Sequence, residues 1–291
     1  LKGIDNGVMD DDPIHYYTMG APKGSEWRTA QEWPLPQERS TLCYFHEGKS
    51  QSVNSSNDGF LKNQPPLNPS GKDGLTVNYS TTSGTETRWV NGYGGNFNYP
   101  DMTVNDGKGL TYTTAPLCSD IEVTGHPIIH LWITSTHKDG DFFAYLEEVD
   151  ENDYSHYISE GTLRSSHRVI TSPPYNNAGI PYHRSYAGDI SPLPKEPAEL
   201  VFDLLPTSNI FDEGHRIRVT ITCMDKDNAL TPEISPPPVV SILRNSNFSS
   251  YISLPIIPKA KGWKTTVMII TFALVLIIVM LIVFFAWMRG G

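Results

Sequence analysis

Over the first 257 residues, apolar side chains fall in short runs of five to eleven residues, each closed by Gly, Pro, Asn, Asp or Ser. The spacing within the runs has the period of a strand, not that of a helix. In residues 217–223, Ile217, Val219, Ile221 and Cys223 alternate with Arg218, Thr220 and Thr222, which predicts a strand that buries Cys223 on its apolar face. Runs of this kind predict strands over residues 14–19, 40–46, 110–114, 120–124, 154–163, 199–204, 215–225, 239–243 and 251–256. Residues 128–133 and 142–149 are apolar at almost every position and are joined by the turn Lys138-Asp139-Gly140-Asp141, so they read as a buried hairpin. Eleven short strands with turn residues between them predict an all-β fold, a β-sandwich or jelly roll, over residues 13–257. Two stretches, residues 48–74 and 172–197, read as long excursions from that core.

The pattern changes after residue 264. Residues 265–288 are 24 consecutive uncharged positions, 15 of them Val, Ile, Leu or Phe. As a helix they would be roughly 36 Å long, against a hydrocarbon core of ~30 Å. At the usual transfer values such a run favours insertion by about 5 to 9 kcal/mol, and Trp263 and Trp287 stand where interfacial aromatics belong. One C-terminal transmembrane α-helix is therefore predicted, joined to the β domain by a basic linker over residues 258–264. The expected location is a single-pass membrane protein with a C-terminal anchor and the lipid bilayer as a partner. Lys259, Lys261 and Lys264 outnumber Arg289, which leans the globular part towards the cytoplasm, and an upstream signal peptide would reverse that. The chain begins at Leu1 instead of Met, so it is expected to be processed or a piece of a longer protein.

Composition narrows the function. Gly and Pro contribute 23 residues each, which leaves little room for long helices before residue 265. With 22 basic and 32 acidic residues the chain has a net charge of −10 and no basic cluster before its C-terminus, so nucleic acid is not an expected partner. Cys43, Cys118 and Cys223 lie far apart and form no C-x-x-C pair, so no metal or redox site is expected. Asp139, Asp141, Asp150 and Asp153 do not follow the calcium-loop spacing, and a solvated turn is the stronger reading. No G-x-S-x-G, H-E-x-x-H, Walker A or complete G-x-G-x-x-G occurs, so no catalytic residue and no cofactor is assigned.

Several segments, taken in order, resemble the C-terminal part of the CocE/NonD hydrolase family, which includes cocaine esterase and the X-prolyl dipeptidyl peptidases. They are Leu1-Lys2-Gly3-Ile4-Asp5-Asn6-Gly7, then Tyr17-Thr18-Met19-Gly20, then Trp27 with Trp33-Pro34-Leu35-Pro36. Glu122-Val123-Thr124-Gly125-His126-Pro127, Asp139-Gly140-Asp141-Phe142 and Gly161-Thr162-Leu163-Arg164-Ser165-Ser166-His167-Arg168 follow. Asn209-Ile210-Phe211 and Gly214-His215-Arg216-Ile217-Arg218 complete the set. The resemblance implies that residues 1–12 are the tail of an α/β-hydrolase domain and a linker, and that residues 13–257 are the non-catalytic jelly roll. It places the family's Ser-His-Asp triad upstream, so this chain alone is expected to be inactive as an esterase or dipeptidyl peptidase. The expected partners are that upstream domain and a second copy in a homodimer. Gly94, Gly95, Asn96 and Phe97 resemble the double-glycine loop that reaches towards the substrate pocket in family members. Two glycines permit close backbone approach and Phe97 offers an apolar wall. A free-standing, membrane-anchored module that binds carbohydrate or protein through Tyr93, Phe97, Tyr99, Tyr175 and Tyr182 is the alternative.

Overall fold

The computed structural model describes residues 3, 6–92 and 97–259. Among them the chain forms fifteen strands: β1 (Ile14–Tyr17), β2 (Trp27–Ala30), β3 (Arg39–His46), β4 (Gly59–Lys62), β5 (Lys72–Thr76), β6 (Leu110–Thr113), β7 (Ile121–Gly125) and β8 (Ile128–Ser135), then β9 (Asp141–Val149), β10 (Ser155–Arg164), β11 (Ala198–Asp203), β12 (Thr207–Phe211), β13 (Arg216–Thr222), β14 (Val239–Leu243) and β15 (Tyr251–Ile257). Thirteen of them form one continuous sheet that runs β10-β9-β13-β6-β4-β3-β15-β8-β14-β5, with β11 on β8 and β12 on β7, while β1 and β2 pair with each other. Phe142, Ala144 and Leu146 of β9, Ile217, Val219 and Ile221 of β13, and Ile129, Leu131 and Ile133 of β8 share one apolar core. That arrangement, a large sheet with its parts facing across a common core, is consistent with a β-sandwich.

The strand expected to bury Cys223 does so, and burial pushes that thiol up to about 12. The expected hairpin is corrected. β8 pairs with β11, β14 and β15, and β9 pairs with β10 and β13, so the segment between them passes from one part of the sheet to another. Both runs are apolar because both line the core, and apolarity carries no information about which strand is the neighbour. Residues 48–74, expected as a loop, contain β4 and β5.

The expected transmembrane helix is also corrected. Residues 265–288 lie outside the described residues, and among the described residues no helix is long and apolar enough to cross a membrane. The α-helices there, α1 (Arg88–Asn91) and α2 (Thr103–Asp106), are single turns, far short of ~20 residues. The single-pass membrane location expected from sequence loses its support with that helix.

β13 has a second buried face. Arg218, Thr220 and Thr222 point away from the apolar core and are still buried. Arg218 has no exposed surface, and its Nη1 donates to Asp106 Oδ2 at 2.7 Å. Its Nε donates to Thr113 Oγ1 at 3.2 Å and its Nη2 to the Ser52 carbonyl at 3.0 Å. Glu147, equally buried, stands beside this pair, and Thr220 Oγ1 lies 2.9 Å from Asp106 Oδ1 and 3.1 Å from Glu147 Oε2. Burial first, and then the charge of Asp106, raises Glu147 well above the usual carboxylate range, and burial raises Asp106 too, against the charge of Arg218.

The sign of the pH dependence follows. A carboxyl raised in the folded protein stabilises most where both states are protonated, below the unfolded value of ~4.3, and that contribution is lost as pH rises through the folded value. Glu147→Gln copies the protonated form, so chemical denaturation should find it within ~1 kcal/mol of the parent at neutral pH. It should also lack the share of the parent's decline in stability that sets in above ~4.3 and ends once the folded carboxyl has ionised. Asp106→Ala, which strands Arg218, should cost about 3 to 5 kcal/mol.

Candidate functional site

The register of β6, β13, β9 and β10 assembles two rows of side chains on the face that points away from the apolar core. Thr113, Arg218, Glu147 and Tyr157 are cross-strand neighbours in one row, and Thr111, Thr220, Tyr145 and Glu160 in the other. Tyr157 and Glu160 are three residues apart and would point to opposite faces of a regular strand. A register shift between Tyr157 and Ser159 brings both to the same side. The segment made of residues 83–92 and 97–106 lies over this face. Met102, Phe143 and Tyr145 form a small apolar cluster beneath it, with Tyr157 and Ala229 packed alongside.

Three buried carboxylates fasten the segment. At its start, Ser83 donates from Oγ to Asp225 Oδ2 at 2.5 Å, an oxygen that also accepts the Tyr145 hydroxyl at 2.9 Å. In its middle, Glu160 Oε1 accepts Trp89 Nε1–H at 2.7 Å, the Tyr157 hydroxyl at 3.0 Å and the Tyr99 hydroxyl at 3.3 Å, with Arg88 Nε 4.0 Å away. At its end stands Asp106 on Arg218. Burial raises Glu160, opposed by the hydrogen bonds from Tyr157 and Trp89 and by the charge of Arg88. The Tyr99 and Tyr157 rings stack with centroids 3.6 Å apart, and Arg88 lies over the Tyr157 ring. Asn98 closes the neck of the loop by donating its backbone N–H to the Glu86 carbonyl at 2.9 Å and its side-chain N–H to the Glu86 carboxylate at 3.0 Å. Gly92 ends α1 with a φ of +31°, where a side chain would be strained.

The result is a fixed stem with apolar side chains left outside. Trp89 is held by its N–H yet remains 52% exposed, and Phe97 is 56% exposed. Val90, next to Trp89, and Val104, in α2, are exposed as well. Of the four residues that sequence reasoning placed at a pocket, Gly94, Gly95 and Asn96 lie outside the described residues, and Phe97 stands one residue before the neck. Sequence reasoning missed Trp89, Tyr157 and Glu160. Tyr99, expected there as a binding platform, has its ring face covered by Tyr157.

Chemistry elsewhere is already engaged. His126, His130, His156 and His215 face Asp203, Glu199, Asp150 and Glu148. The carboxylate and imidazole atoms of Glu148, Asp212 and His215 lie within 4.8 Å of one another, the one such group among the described residues. Glu148 Oε1 there accepts both His215 Nδ1 at 2.9 Å and the Asp212 N–H at 2.9 Å, so hydrogen bonds account for the cluster. Asp139 is held by Arg164 at 2.8 Å and by the Ser166 N–H at 3.0 Å, as a turn aspartate is.

Comparison with known proteins accords with this architecture. Residues 6–240 match the family described as the X-Pro dipeptidyl-peptidase C-terminal non-catalytic domain. A Mycobacterium bovis protein that carries a serine esterase name is 41% identical over 263 residues, covering 88% of this chain and 39% of that protein. Cocaine esterase of Rhodococcus is 27% identical over 228 residues, covering 76% of this chain and 36% of the esterase. The chain thus spans about two fifths of the length of these relatives. Among solved structures, a CocE/NonD family hydrolase of Staphylococcus aureus superposes with a TM-score of 0.62 at 17% identity, covering 88% of this chain and 44% of the other. An α-amino acid ester hydrolase does so with a TM-score of 0.60 at 18% identity, covering 85% and 41%. At these identities the two structures speak for the fold alone.

Glu160→Ala would leave three donors without their acceptor, two of them on the covering segment. Thermal and chemical denaturation should report a loss of about 2 to 3 kcal/mol, and limited proteolysis should cut between residues 86 and 98 faster than in the parent. Glu160→Gln, which keeps an acceptor, should slow that cutting again.

Proposed function

This chain belongs to the X-Pro dipeptidyl-peptidase C-terminal non-catalytic domain family, and on that premise we propose that it packs on an α/β-hydrolase domain and walls part of its substrate cleft. It is the non-catalytic C-terminal domain of a CocE/NonD-type hydrolase. The reading about the cleft rests on one observation, the exposure of Trp89 and Phe97 on a stem that three buried carboxylates hold in place. An isolated domain gains nothing from fixing two large apolar side chains in water, whereas a preorganised surface lowers the ordering cost of a contact.

In this reading Phe97, with Gly94, Gly95 and Asn96, faces the substrate, and Trp89 seats the loop against the hydrolase domain. The nucleophile, base and orienting acid come from that other domain, and the substrates are esters or X-Pro peptides. The chain supplies shape and exclusion of water, not proton transfer.

In the joined enzyme, Phe97→Ala should change KM or kcat by several-fold while stability stays within ~1 kcal/mol, because the side chain is already exposed. A loss of ~3 kcal/mol would mark Phe97 as packing instead. The chain by itself should not be labelled by a fluorophosphonate and should not turn over p-nitrophenyl esters or X-Pro substrates. Stoichiometric labelling of one serine, abolished by replacing it, would contradict the assignment of the chemistry to the other domain.

A further inference from the structure

A cleft unconnected with the aromatic loop opens beside β5 and the end of β14, with a volume of about 380 Å³, and is lined by Glu47, Lys49, Asn57, Lys72, Asp73 and Arg244. At its floor the Arg244 side chain is 8% exposed and forks onto Asp73, Nε to Oδ2 at 2.8 Å and Nη2 to Oδ1 at 2.9 Å. The Tyr112 hydroxyl and Asn57 Nδ2 donate to the same Asp73 Oδ2 at 2.9 and 3.2 Å, so the carboxylate is saturated on that side and the guanidinium is fixed. Gly71 leaves room for Arg244 against its backbone, since a Cβ there would come within 2.6 Å of the Arg244 carbonyl and 2.9 Å of its Nη1.

The third nitrogen, Nη1, is left with a weaker partner. Glu47 Oε2 stands 3.5 Å from it on a side chain that is 73% exposed. Lys49 and Lys72 line the same cleft, both exposed, and neither is in an ion pair among the described residues. Asp73 cancels Arg244, so the two lysines against Glu47 leave a local surplus of one positive charge in a chain whose net charge is −10. Such a spot collects anions that the rest of the surface repels.

We propose that this cleft binds the phosphoryl group of a small soluble molecule, which displaces Glu47 from Arg244 and is neutralised by Lys49 and Lys72. A phosphate monoester carries about −1.5 to −2 at neutral pH and three acceptor oxygens, which matches two ammonium groups and one guanidinium edge. A monocarboxylate would leave one lysine unmatched. The recess of Arg244 keeps it from headgroups in a flat bilayer, which favours a soluble source. Glu47 then acts as an internal competitor, because its side chain is exposed to water and a contact of 3.5 Å is weakly held and readily exchanged.

Isothermal titration of the full chain with inorganic phosphate, sulfate and acetate tests this. Saturable binding of phosphate or sulfate, with no saturable binding of acetate, is expected. Glu47→Gln should tighten phosphate binding about threefold or more, and the double variant Lys49→Glu, Lys72→Glu should weaken it at least about tenfold, a difference of ~1.4 kcal/mol. Both lysines are exposed, so melting temperatures should not move. Absence of saturable phosphate binding, equal affinity in the charge-reversed variant, or acetate binding as tight as phosphate would overturn the site. Sedimentation with phosphatidate vesicles that the double variant abolishes, in a chain that ignores free phosphate, would overturn the soluble source.

Discussion

Arg218 sets the terms for the rest of the structure. A guanidinium with no exposed surface costs several kcal/mol to desolvate, and it is tolerated only where counter-charge and hydrogen bonds replace the lost water. β13 carries it inward on the polar face of a strand whose other face is in the apolar core, so the sheet must be covered on both sides. The cover is supplied by α2, which brings Asp106, and by the segment that leads to it. The pair orders a stretch of chain that would otherwise have two single helical turns and little apolar area to hold it.

The same device recurs along that segment. Asp225 holds Ser83, Glu160 holds Trp89 and Tyr99, and Arg218 holds Asp106, so each third of the cover ends in a buried ionisable group with its donors or counter-charge satisfied. Hydrogen bonds to charged groups contribute about 1.5 to 3 kcal/mol each. They fix position as well as energy, since a stacked Tyr99 and an indole N–H aimed at a carboxylate admit one placement of the ring. A fixed stem with Trp89 and Phe97 exposed on it is what a domain needs if its task is to shape another domain's cleft.

Much of the fold was legible in the sequence. All eleven runs singled out by hydrophobic pattern contain strands, and the alternation in residues 217–223 placed Cys223 in the core correctly. Four strands were missed. β4 and β5 lie in a stretch rich in Gly, Asn and Ser, and β2 and β12 are short. The pairing of β8 and β9 was misjudged because two core strands look alike whichever neighbour they have. The clamp under the loop was hidden for a sharper reason. Tyr157 and Glu160 share a face only through an irregularity in β10, and no alternation rule anticipates that. Arg218 was quoted as part of a family motif, yet a lone arginine in a strand reads as a solvated side chain until its buried partner 112 residues away is known. The double glycine itself lies outside the described residues, and what the structure describes is the stem on either side of it, where Asn98 is bound to Glu86.

In the proposed arrangement Trp89 and Phe97 are held out to meet a hydrolase domain. Hydroxyl-radical footprinting of these two side chains, in the chain alone and in the chain joined to its hydrolase domain, measures this most directly. Fast oxidation of both is expected in the chain alone, with a several-fold slowing of both in the joined protein. Equal rates in the two would contradict it, because the stem would then be presenting its aromatics to solvent in the complete enzyme as well.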